Sequence, residues 1–152
     1  MSRGDTAMYK HILLPTDGSE LSERAAREGV RFAKSINARI TALHTTPVFN
    51  APELSGHAVY DRILEHKELS NQKAQEALSA VERIARDADV AFTAVHRVSD
   101  NPWEVIISVA QEQGCDLIFM ASHGRRGINA LLMGSETNKV LIHSKAPVLV
   151  CR

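Results

Sequence analysis

Thiols are scarce in this chain, and an excess of one charge and long apolar runs are missing altogether. Its 152 residues include two cysteines, Cys115 and Cys151. Two are too few for a disulfide framework, and they have no metal-type spacing. The seven histidines, His11, His44, His57, His66, His96, His123 and His143, show no HxxxH pair or CxxC partner either, so no metal centre is expected. Lys plus Arg and Asp plus Glu each number 18, giving zero formal net charge. No basic excess therefore marks a nucleic-acid or anionic-membrane partner, and no net charge opposes self-association. No run approaches the roughly 18 apolar residues of a membrane span. Met1 to Ala7 is polar and lacks the apolar core of a signal peptide. Residues 1–8 are expected to be a flexible leader, and the chain a reduced, cytoplasmic protein. Enzyme signatures are missing too: there is no GxxxxGK[ST] P-loop, no GxGxxG and no GxSxG elbow.

What is present is ordinary globular material, 44% hydrophobic and 24% charged, in a length suited to one domain with one core, expected over residues 9–152. Five short β-type runs alternate with helical stretches. His11 to Leu14 reads as a first strand stopped by Pro15, and Ser19 as the N-cap of a helix with an apolar face that includes Leu21, Ala25, Phe32, Ala33 and Ile36. Arg39 to Thr45 is a second, β-branched strand. Pro47 to Gly56 reads as a loop. A long helix from about Ala58 to Ala88 follows, its more polar start expected to be loose or broken. Ala91 to Val98 is the third strand. Asn101, Pro102 and Glu104 then give three agreeing helix-start signals, with Asn101 as the cap. Leu117 to Ala121 is a continuous apolar run, as in a strand covered on both faces. Gly134-Ser135 opens a last helix, and Pro147 to Cys151 is the fifth strand. This alternation predicts a mainly parallel sheet with helices on both faces.

Ligands of such sheets bind beyond the strands' carboxyl ends, where the strand order reverses. Two loops at strand ends have unusual composition. One is Pro15-Thr16-Asp17-Gly18-Ser19. The other runs from Ser122-His123-Gly124-Arg125-Arg126-Gly127 to Met133-Gly134-Ser135-Glu136-Thr137. The second has the ingredients for phosphate binding: glycines for close approach, a helix amino terminus with free amides, the Ser135 and Thr137 hydroxyls, and the charge of Arg125 and Arg126. A branched side chain at Gly134 is expected to enter the phosphates' space without unfolding the protein. The plainer alternative is a glycine-containing surface loop with a Ser helix cap. Asp17 either accepts ribose hydroxyl bonds, or faces a phosphate-bound magnesium, or only shapes its turn. His123 is either a ligand contact or a loop histidine bonding a neighbouring carbonyl. Trp103 reads as packing. No paired carboxylates flank the glycine loop to activate water.

From Lys10 (KHILLPTDGSELSERA) to Arg152 (DLIFMASHGRRG…LLMGSETNKVLIHSKAPVLVCR) the chain resembles the universal stress protein family. The family's nucleotide pattern is Gly, two residues, Gly, nine residues, Gly, then Ser or Thr. Here Gly124, Gly134 and Ser135 match it, and Ala121 stands where the first glycine is usual. The resemblance implies an open sheet in the order 3-2-1-4-5, the adenine nucleotide alpha hydrolase-like fold. It also implies ATP or AMP as ligand, with Mg2+ bound through the phosphates. The implied lining begins with Pro15, Thr16, Asp17 and Thr45, with Asp17 and Thr45 at the nucleoside. Met120, Ala121, His123, Gly124, Arg126 and Gly127 continue it. Gly134, Ser135, Glu136 and Thr137 complete it, largely through backbone amides. Positive φ at Ala121 would cost about 1 kcal/mol or more. The order 3-2-1-4-5 puts the last strand at an edge, where Val148, Leu149 and Val150 are expected to pair with a second copy in a homodimer, with a tetramer as a further step. Two alternatives stand beside this reading: a scaffold of the same family without nucleotide, and a slow ATPase or phosphotransferase.

Overall fold

A computed structural model describes residues 7–50, 56–123 and 132–152. The elements are β1 His11–Pro15, α1 Glu20–Ile36, β2 Arg39–Thr46, α2 His57–Asp87, β3 Phe92–Val98, α3 Pro102–Gln113, β4 Leu117–Ala121, α4 Ser135–His143 and β5 Val148–Cys151. All strand pairs are parallel and the order is β3-β2-β1-β4-β5, as expected. β1 and β4 lie inside the sheet with both faces covered, and every residue of β4 is buried. Their side chains alternate between two cores. Ile12, Leu14, Leu117 and Phe119 pack with Ala26 and Val30 of α1 and Val81 of α2. Leu13, Ile118 and Met120 pack with Ile106 and Val109 of α3 and Val140 of α4. Gly29 lets α1 sit close: a Cβ there would stand 2.7 Å from Leu14 Cδ1 and 3.1 Å from Phe119 Cδ1.

Ser19 caps α1 as expected, its Oγ accepting from the Ser22 N–H at 3.2 Å. Two local expectations are corrected. α2 has no loose start but runs unbroken from His57 to Asp87, although its buried residues begin only at Ala74. Asn101 holds the N-cap position of α3 but its side chain makes no capping bond. The reason is competition from afar: the Trp103 N–H donates to Glu136 Oε2 at 2.9 Å. No helix among the described residues is long and apolar enough to cross a membrane.

Candidate functional site

Strand order reverses between β1 and β4. Their pairing covers Ile12 with Leu117 and Leu13 with Ile118, stopping short of both carboxyl ends. A cavity of about 580 Å³ opens above this point, within the usual range for small-molecule sites. The first turn supplies Pro15, Thr16 and Asp17, and β2 supplies Thr45. β4 and its exit supply Met120, Ala121 and His123, and the start of α4 supplies Gly134, Ser135, Glu136 and Thr137. The expected Gly124, Arg126 and Gly127 lie outside the described residues. Sequence reasoning missed Ser99 and Asp100, which follow β3, together with Pro47 and Pro102. The signal was available, since Ser99 and Asp100 also follow a strand's carboxyl end.

Backbone and side-chain hydrogen bonds hold the first turn in place. The Thr16 N–H donates to Leu43 O at 2.8 Å, and His44 Nδ1 donates to Thr16 O at 2.9 Å. Asp17 Oδ1 accepts the Ser19 N–H at 2.9 Å. Asp17 thus shapes its turn and borders the cavity at once.

The other wall is the junction of β4 with α4. The Gly134 N–H donates to Ser122 O at 2.7 Å, and Thr137 Oγ1 donates to Ala121 O at 2.9 Å. The Thr137 proton is therefore committed to β4. A Cβ on Gly134 would lie 3.1 Å from Ser122 O and 3.3 Å from His123 Cα. A Cβ there thus meets the exit of β4, at a position that also lines the cavity. Ala121 ends β4 with ordinary extended geometry; among the described non-glycine residues only Asn37 and Asp89 have positive φ. Its methyl carries no backbone strain.

Two features fit an anionic, hydrogen-bonding ligand. Gly134 makes no side-chain cap for α4, so the first-turn amides of Ser135, Glu136 and Thr137 have no intrahelical partner. His123 Nδ1 is hydrogen-bonded to Ser122 Oγ at 2.9 Å, while its Nε2 is buried without a partner among the described residues. Buried polar atoms are nearly always paired, and this one belongs to a cavity-lining side chain. The carbonyl bond considered for His123 is not what holds it.

The Trp103 ring and Cys115 serve packing. The Trp103 ring lies against His143, with centroids 4.9 Å apart. Cys115 is buried, and burial above all pushes its thiol up to about 11, leaving it protonated and unreactive at neutral pH. Among the described residues no group of three His, Cys, Asp or Glu side chains is placed to hold a metal.

The Universal stress protein family model matches residues 8–152. The chain belongs to the universal stress protein family. It is 32% identical over 161 residues to the universal stress protein MJ0577 of Methanocaldococcus jannaschii, covering 97% of each chain. Universal stress protein UspA from Lactobacillus plantarum superposes with a TM-score of 0.80 at 24% identity, over 95% of this chain and 98% of that one. A universal stress protein in complex with cAMP superposes with a TM-score of 0.69 at 25% identity, over 95% and 97%.

Proposed function

We propose that this universal stress protein binds an adenine nucleotide, ATP or AMP, in the crevice between β1 and β4, with Mg2+ held through the phosphates. The observation that carries the reading is the meeting of the uncapped amino terminus of α4 with the carboxyl ends of β1 and β4 around one cavity. Pro15, Asp17 and Thr45 take the nucleoside end. The amides of Ser135, Glu136 and Thr137 take the phosphates, and His123 Nε2 supplies the remaining polar contact. The relative solved with cAMP supports an adenine ligand. Mass spectrometry of the small molecules released from purified, acid-denatured protein tests it: adenine nucleotide near one per chain is expected. Protein that carries none and gains no melting temperature from millimolar ATP or AMP would refute the reading.

The same proposal makes the protein a cytoplasmic, homodimeric stress-response or signalling module. β5 is an edge strand, and Leu149 stands 36% exposed on it, so a two-fold partner strand would satisfy its amides and cover its apolar face.

A further inference from the structure

We propose that Asp100 is a positioning residue for the nucleoside end of the cavity: its carboxylate ties the exit of β2 to the exit of β3 and so fixes the lip beside a bound nucleoside. The inference rests on the nucleotide reading above and concerns a residue to which that reading gives no role.

Two strands end side by side here. β2 closes at Thr46 and β3 at Val98, and their register pairs these two residues. One further rung follows, the Ser99 N–H donating to Thr46 O at 2.8 Å. The β3 exit then turns into α3, whose first residue is Pro102. On the β2 side the next residue is Pro47, which has no N–H to continue the ladder. The Val48 N–H is therefore the first amide beyond β2 able to hold this exit, and it donates to Asp100 Oδ1 at 3.0 Å. In a regular parallel ladder a main-chain carbonyl would accept that bond. Here a side chain 52 residues away in sequence accepts it instead. Phe49 adds a second anchor, its ring centroid 4.5 Å from that of His66 in α2.

Pro47, Ser99 and Asp100 line the cavity together with Thr45. The tie thus joins two stretches of cavity wall. Pro47, Val48 and Asp100 are all exposed, so this lip draws little rigidity from the core. A loose lip must be ordered when a ligand binds, and that ordering subtracts from affinity. The Asp100 bond orders it in advance. One hydrogen bond of this kind at an exposed site corresponds to about fivefold in binding. The gain belongs to the nucleoside end, so adenosine, AMP and ATP share it. It comes from an acceptor oxygen in the right place, not from the carboxylate's charge.

Calorimetric titration of wild type, Asp100→Asn and Asp100→Ala with adenosine, AMP and ATP plus Mg2+, beside amide hydrogen exchange at Val48, tests this. Asp100 is exposed, so neither substitution opens the core. Asn keeps an oxygen for the Val48 N–H, and Ala removes it. For Asp100→Ala we expect faster exchange at Val48 and about fivefold weaker binding of all three ligands. Asp100→Asn should match wild type in both readouts. Unchanged Val48 exchange or unchanged affinity in Asp100→Ala overturns the inference. A loss confined to ATP, or an Asn variant as weak as Ala, overturns it as well, because the residue would then act through its charge. Wild-type protein that binds none of the three ligands overturns the nucleotide reading, and this inference with it.

Discussion

Replacing Gly134 by alanine adds one methyl where α4 touches the exit of β4. The backbone there has φ −60° and ψ 149°, which alanine adopts freely, so no conformational strain enters. The added carbon would lie 3.1 Å from Ser122 O and 3.3 Å from His123 Cα. Both neighbours are backbone and cannot rotate away. Relief requires α4 to retreat by a few tenths of an ångström, and that movement lengthens the 2.7 Å bond from the Gly134 N–H to the same carbonyl. Overpacking of this kind costs about 1–3 kcal/mol, and the stiffer unfolded chain returns about 0.4–1 kcal/mol. The net is a loss of about 1–2 kcal/mol, a fall in Tm of about 2–8 °C for a chain of this size. Nucleotide affinity should fall as well, because the amides proposed to hold the phosphates travel with the helix. Thermal melts and calorimetric titration of one preparation measure both. An unchanged Tm together with unchanged affinity would refute the reasoning.

Asp17→Ala removes the acceptor of the Ser19 N–H and should lower stability by about 1 kcal/mol, whereas Asp17→Asn keeps an oxygen there and should not. If the carboxylate meets ribose or magnesium, both variants lose about 1–3 kcal/mol of ATP affinity; an Asn variant with full affinity would reduce Asp17 to a turn residue. Burial, then the Arg39 guanidinium, holds His11 below its ordinary value of 6.5, outweighing Asp116 and the Gln113 and Gly114 carbonyls. The unfolded chain therefore binds more protons there, so stability is full above about 6.5 and is lost as pH falls through 6.5 toward the depressed folded value. Melts from pH 8 to 5 should show this loss, and His11→Gln should flatten it; an identical slope in the variant contradicts the assignment. Leu149→Lys should turn a dimer into a monomer by light scattering, and a wild type that is already monomeric at micromolar concentration removes the β5 interface.

Local signals were the legible ones. The alternating cores of β1 and β4 follow from continuous apolar runs, and the Ser19 cap lies within one turn of the amide it serves. The switch point follows from the strand order, and the cavity gathers the described residues expected there. Long-range competition was not legible. Nothing near Asn101 announces that Glu136, on another helix, takes the Trp103 amide. The tight fit around Gly134 is likewise tertiary: the atoms a side chain would meet belong to Ser122 and His123, on the far side of a loop. Glycine in a binding motif reads as room for a ligand, but here it is also room for the protein's own backbone.

The central claim is that one adenine nucleotide occupies the crevice between β1 and β4. Calorimetric titration of the nucleotide-stripped protein with AMP and with ATP plus Mg2+, using GTP as control, tests it most directly. Saturable binding near one adenine nucleotide per chain, weakened by Gly134→Ala, is the predicted result. No saturable heat from either adenine nucleotide at millimolar concentration, in protein that is folded by its melting curve, would contradict it.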